Sequence, residues 1–325
     1  MSKNKYEIDM CNGTIMDKLI SFSVPLMLSG ILQLMFNAVD IIVVGRFAGS
    51  QSLAAVGSTT ALINMFVNLF IGVSLGANVL AARFYASGKH KEMSETVHTA
   101  ITFAAISGVV MALIGVLMAK PALELMGTPD DVINLSTLYM RIYFLGMPFF
   151  MLYNYGAAVL RAVGDTKRPL MFLMAAGIIN ACLNMVLVIV FNLGVAGVAI
   201  ATIFSQFISC VLVLRCLNKT DASYQLRFSK LKIKGYYLKQ IFQVGIPAGI
   251  QSTVINFSNA LLQSSVNSFG STAMAGYTAA NNILGFLYAS INSVTQACMS
   301  FTSQNYGVRT VSYTHLRAHE TLANL

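Results

Sequence analysis

Apolar residues run through the chain in eight long blocks, at roughly 15–45, 52–82, 94–118, 132–158, 168–191, 194–217, 236–267 and 273–303, with polar loops between them. A helix needs about 20 residues to cross the hydrocarbon of a bilayer, and each block reaches that length. Inside lipid the backbone has to satisfy its own hydrogen bonds, so blocks this long predict helices. Several are longer than a crossing requires, which predicts tilt or protrusion into water. The pattern gives an all-α integral membrane fold.

Polar residues interrupt these blocks at helical spacing. Ser29, Gln33, Asn37 and Asp40 recur four, four and three residues apart, so they share one face of the first helix. Asn64 and Asn68 do the same in the second, and Asn180 and Asn184 in the fifth. Asn256, Asn259, Gln263 and Asn267 follow in the seventh, and Tyr288, Asn292 and Gln296 in the eighth. Amides are costly to leave facing lipid. One such pair is explained by a hydrogen bond between helices, whereas five striped helices together predict a shared, water-filled cavity.

Asp40 differs in kind. Of the twelve acidic residues it alone lies well inside an apolar block. Intramembrane carboxylates face a cavity, a partner or a proton route. A carboxylate in such a place can act as a switch, attracting a cation when ionised and releasing it when protonated. A structural ion pair with Arg46 is the competing explanation, but six residues on along a helix the two side chains diverge.

Composition and charge agree with the membrane reading. The 325 residues are 56% hydrophobic and 10% charged, against about a quarter charged in ordinary soluble domains. The opening MSKNKYEIDMCNGTIMDK is polar and runs into a block too long for a cleavable signal, so the first helix is expected to be an uncleaved insertion signal. The net charge of +9 would suggest nucleic acid in a soluble protein, but here the basic residues fall in alternate loops. Lys3, Lys5 and Lys18 precede the first span, Arg83, Lys89 and Lys91 follow the second, and Arg161, Lys167 and Arg168 follow the fourth. Seven more lie between Arg215 and Lys239. The positive-inside rule then makes the N-terminus and the 215–239 connection cytoplasmic. The five cysteines are scattered without CxxC spacing, so neither a disulfide framework nor a metal site is expected.

A faint internal repeat also shows. SVP at 23–25 answers GIP at 245–247, and Asn37 answers Asn259, both at an offset of 222; one residue out of register, GSQSLAAV (49–56) answers GSTAMAGY (270–277). Both copies start on the same side, so the repeat is parallel, as in transporters with a substrate path between two halves. GVSLG (72–76) and GIPAG (245–249) carry small residues four apart, a pattern suited to close helix approach.

These stretches resemble the multidrug and toxic compound extrusion family. VDIIVVGRFAGSQSLAAVG (39–57), LRAVGDTKRP (160–169), IINACLNMVLV with LGVAGVAIAT (178–202) and QNYG (304–307) carry the resemblance, which covers residues 15–307. It implies a two-lobed exporter, six helices per lobe, driven by a proton or sodium gradient and expelling cationic or amphipathic drugs without an organic cofactor. Asp40 resembles the family's first-span coupling carboxylate. Asn180, Asn184 and Thr202 match polar positions of its first-lobe cavity, as do Tyr139 and Asn154. Gln33, Asn37, Asn259 and Gln263 join them on the striped faces.

The expected organisation is a cytoplasmic segment 1–14, a six-helix lobe 15–217, a basic cytoplasmic linker 218–235, and two helices of a second lobe at 236–307. After Thr310 the chain reads VSYTHLRAHETLANL, unlike a ninth span, so a truncated member with a non-family tail at 308–325 is expected. The place is the plasma membrane, with the bilayer and a small organic cation as partners and no nucleic acid or obligate protein partner. Asn184 is an acid in some relatives, and 246–267 holds no acid of the kind sodium-coupled relatives carry, so the resemblance leans towards protons.

Three other functions compete. A lipid-linked oligosaccharide flippase of the same superfamily would want basic residues in its cavity, and the spans offer only Arg141. A membrane enzyme would need a nucleophile–base set or a metal cluster; His98 stands alone in the third block, and there is no HExxH or phosphate loop. A receptor or purely structural role leaves Asp40 and the polar stripes without a purpose.

Overall fold

The computed structural model describes residues 6–267 and 271–309. Among these, nine α-helices carry the fold: α1 (Ile15–Val43), α2 (Ser50–Ala86), α3 (His90–Leu125), α4 (Ile133–Leu145), α5 (Met147–Ala162), α6 (Lys167–Met185), α7 (Gly194–Lys219), α8 (Gly235–Asn267) and α9 (Ser271–Gly307). Short π-helical turns extend α1 over Val44–Ala48 and α6 over Val186–Val190. The tail at 310–325 lies outside the described residues.

The eight apolar blocks correspond to eight helical rods, because α4 and α5 form one block bent by 46°. Gly146 caps α4, and Pro148, in the first turn of α5, lacks the N–H that would continue the ladder. Five rods and the bent pair are long and apolar enough to cross a membrane. The two last helices, of 33 and 37 residues, are as long but fall outside that set. Their sequences are rich in Ser, Thr, Asn and Gln, which lowers their apolar content without shortening them.

The first six rods make one bundle. α3 packs on α4 and α5, α5 on α7, and α6 on both α1 and α7. The last two helices then pair crosswise with the first two, α8 against α2 and α9 against α1 and α2. The α2–α8 crossing brings the GVSLG and GIPAG motifs together. A Cβ on Gly72 would overlap the backbone of Gly249, and one on Gly76 would overlap the Ile241 carbonyl and Gly245. Only hydrogen fits there, which is how small residues let helices approach.

The linker after α7 is pinned to the bundle by His98, which is 4% exposed. Its Nδ1 faces the Ser94 carbonyl at 2.6 Å and its Nε2 accepts the Arg227 N–H at 3.1 Å. The Ser94 contact fixes the proton on Nδ1 and leaves Nε2 as the acceptor. Lys234 adds an ion pair with Glu95. The isolated histidine of the third block therefore serves structure.

Candidate functional site

The site begins where α1 and α6 lie side by side. Asp40 occupies the last turn of α1, and Asn184 the last turn of α6. The Asn184 amide donates to Asp40 Oδ1 and, at 3.2 Å, to Asn180 Oδ1 one turn earlier. Asn180 and Asn184 are buried and Asp40 half-buried. Asn184 Oδ1 is buried without a hydrogen-bond partner. The cluster thus has one carboxylate, an amide donor serving two acceptors, and an orphaned carbonyl oxygen. Buried oxygens left without donors cost free energy unless a cation, a water or a cargo group meets them.

Local backbone geometry sets this arrangement apart. The ladder loosens to π spacing four residues after Asp40 and again two residues after Asn184. The two π turns touch each other. A π turn rotates the side chains that follow it relative to those before, and such turns recur at functional sites. Here the apolar Val44 and Val188 pack inward while Asp40 and Asn184 face each other.

Tyr139 and Tyr143 of α4 complete the surroundings. Their rings are tilted 35° apart with centroids 6.2 Å apart, and both lie within electrostatic range of the Asp40 carboxylate. Tyr139 was expected from the resemblance; Tyr143 was missed, although its spacing of four from Tyr139 on one helix face could have flagged it.

The other expected residues fall elsewhere. Asn154 gives its amide to the Phe150 carbonyl of its own helix at 2.9 Å, and Thr202 gives its hydroxyl to the Val198 carbonyl at 3.0 Å. Neither is joined to Asp40, because each satisfies itself one turn back. Ser29 does the same with the Pro25 carbonyl, at 2.8 Å. Gln33, Asn37, Asn64, Asn259, Tyr288 and Asn292 are exposed. Gln263, Asn256 and Asn267 carry side chains outside the described residues. Arg46, the alternative partner for Asp40, is exposed on the π turn. Among the described residues, no group of three His, Cys, Asp or Glu side chains could hold a metal ion.

Known proteins were then compared with this arrangement. The MatE family model matches residues 25–186 and again 247–321. The two matches begin at Pro25 and Pro247, separated by the offset of the internal repeat. The chain is 33% identical over 295 residues to the "Probable multidrug resistance protein YoeA" of Bacillus subtilis (strain 168), covering 88% of this chain and 63% of that protein. It is 28% identical over 301 residues to the "Probable multidrug resistance protein YpnP" of the same organism, covering 92% and 67%. Among solved structures, one titled as the outward-facing conformation of a multidrug resistance MATE family transporter superposes with a TM-score of 0.88 at 23% identity. That match covers 96% of this chain and 69% of the other. The chain thus spans about two thirds of the length of the relatives it matches. The chain is a multi-pass membrane protein and belongs to the multidrug and toxic compound extrusion (MatE) family.

Proposed function

We propose that the protein is, or forms the larger part of, a cation-coupled antiporter that exports cationic or amphipathic compounds by alternating access. The six-helix lobe 15–217 and the helices 236–307 are its two moving parts, joined by the basic linker 218–235. It sits in the plasma membrane with its N-terminus in the cytoplasm, where the positive-inside rule puts the basic loops. The coupling ion in this reading is a proton, since 246–267 holds no acid of the kind sodium-coupled relatives carry. No organic cofactor and no obligate protein partner enters the cycle.

The observation that carries this reading is the amide of Asn184 donating to Asp40 inside the bundle. An ionised Asp40 accepts that bond and attracts a cation. A protonated Asp40 becomes a donor, loses its hold on the cation and turns the Asn184 amide towards other partners. Cargo and proton then compete for one site, which is the requirement for exchange. The half-buried position of Asp40, between two helices loosened by π turns, supports such a change of partners.

The test replaces Asp40 by Asn in everted membrane vesicles energised by a proton gradient, with a fluorescent organic cation as cargo. Gradient-driven efflux should fall to background while the protein level in the membrane stays that of the parent. Efflux that persists at the parental rate sinks the coupling role of Asp40.

A further inference from the structure

A second buried polar cluster lies away from Asp40, at the end of the bundle that holds the N-terminal segment. α2 and α9 cross there at Asn78 and Ser300, which are 3% and 1% exposed. The Ser300 hydroxyl donates to Asn78 Oδ1 at 3.1 Å, and Asn78 Nδ2 donates to the Ala158 carbonyl of α5 at 2.9 Å. One turn on, Gln304 Nε2 donates to the Ala162 carbonyl at 2.7 Å. Asn305 Nδ2 donates to the carbonyls of Phe301, at 2.9 Å, and of Met10, at 3.0 Å.

That last bond ties in the N-terminal segment as a strap. Met10 is buried, the Ile8 N–H donates to the Gly164 carbonyl at 3.2 Å, and Cys11 Sγ lies 3.9 Å from Gln304 Oε1. Gly164 has φ +94, and a Cβ there would run into the Ile8 backbone, so the strap fits only against glycine. Glu7 accepts hydroxyl protons from Tyr85 at 2.8 Å and Tyr224 at 2.7 Å. Burial pushes the Tyr224 phenol up from its ordinary value, which keeps it neutral and able to donate.

Asn78 and Ser300 are 222 residues apart, the offset of the internal repeat. Residues that meet their own repeat equivalents lie on the axis relating the two halves. The cluster therefore joins one half to the other at the point where they must separate for that end to open.

We propose that the seam of Asn78, Ser300, Gln304 and Asn305, together with the strap 6–11, is a latch that holds the cytoplasmic end shut and releases as a unit. The proposal rests on the alternating-access reading given above. The seam is built from neutral amides and one hydroxyl, bonded to main-chain carbonyls and to Asn78 Oδ1, so it closes the gate without itself sensing the gradient. Breaking any one member exposes the others to water, which makes release cooperative.

The test uses native Cys11 as reporter, with Cys182, Cys210, Cys216 and Cys298 replaced by Ala, and a membrane-impermeant maleimide added to everted vesicles. Gln304→Glu keeps the side-chain shape but sets an acceptor against the Ala162 carbonyl. Asn78→Asp does the same against Ala158 without touching Cys11. Loss of one buried donor should raise Cys11 labelling about tenfold in each variant relative to the parent at pH 8. At pH 5 a protonated carboxyl donates again, so labelling should return towards the parental rate measured at the same pH. A damaged fold would not recover in this way. Labelling unchanged in Asn78→Asp, or raised in both variants without recovery at low pH, overturns the latch. Because labelling reads opening and not export, a latch that responds in a protein without efflux would leave the latch standing and remove the exporter reading.

Discussion

Two buried amide clusters in this protein answer the same physical problem in opposite ways. At the end of the bundle that holds the N-terminal segment, Asn78, Gln304 and Asn305 each give their N–H groups to main-chain carbonyls, and three helices and the N-terminal strap are fastened together. Beside Asp40, Asn184 spends its N–H groups on other side chains, one of them a carboxylate; each cluster keeps one buried amide oxygen without a donor, Asn184 Oδ1 here and Asn305 Oδ1 in the seam. A carbonyl of the backbone cannot change charge, so the first cluster has one preferred arrangement. A carboxylate can, so the second has two. What separates the two clusters is therefore the acceptor, fixed main-chain carbonyls in one and a titratable carboxylate in the other.

The sharpest way to break this comparison is to remove the one titratable group. Asp40→Asn leaves two amides in place of an amide and a carboxylate, with volume almost unchanged. Gradient-driven efflux should vanish, while melting of the purified protein should stay within about 1 kcal/mol of the parent, as for surface-like polar exchanges that leave no cavity. A large loss of stability would instead mean that Asp40 is a structural anchor like the amides of the seam.

The next largest effect belongs to the packing that lets the seam form. Gly76 of α2 faces the Ile241 carbonyl and Gly245 of α8 with no room for a side chain. Gly76→Val should cost about 3 kcal/mol or more, since overpacking against backbone cannot relax by a rotamer change. The measurement is thermal unfolding in detergent together with Cys11 labelling. A variant that melts as the parent does and labels no faster would show that the two halves are held apart from this crossing.

Much of this was legible in the sequence, and the reasons differ by feature. The eight rods follow from block length, because lipid leaves no alternative to helix. The GVSLG and GIPAG motifs could be named from spacing, though not that they face each other, since contact between helices is a tertiary fact. Asp40 was visible as the lone intramembrane carboxylate, and Asn180 and Asn184 as a stripe four apart. Asn154 and Thr202 came from resemblance, and the structure turns both back on their own helices, an option any amide or hydroxyl in a helix has. The seam was hidden. Asn78 stands apart from the Asn64 and Asn68 pair in α2, and Gln304 and Asn305 stand side by side in α9, so only the 222-residue offset between Asn78 and Ser300 could have paired the two helices.

A subtler variant sharpens the contrast by converting the second cluster further. Asn184→Asp replaces the donor that serves Asp40 with a second carboxylate. Two carboxylates in contact titrate as a pair and exchange more than one proton over a working pH range. Efflux should persist, with a steeper dependence on pH and a proton-to-cargo ratio rising from one towards two, read from flux ratios at matched gradients. A pH profile of unchanged steepness would mean that Asn184 does not share the titration of Asp40.

The smallest effect should come from the ion pair that looks most conspicuous. Lys234 and Glu95 meet between the linker and α3, with side chains 45% and 19% exposed. Exposed pairs contribute about 0–1 kcal/mol, because water and salt screen them and two long side chains lose freedom. The linker has stronger attachments in the Arg227 N–H bond to His98 and the Lys234 N–H bond to Thr99 Oγ1, at 3.1 and 3.3 Å. Glu95→Gln should therefore shift the melting temperature by no more than a degree or two in about 0.15 M salt. His98→Ala leaves a buried N–H without its acceptor and should shift it several degrees more. If the order is reversed, charge and not the buried histidine holds the linker. The linker would then share the salt sensitivity of an exposed ion pair, in contrast to the neutral seam beside it.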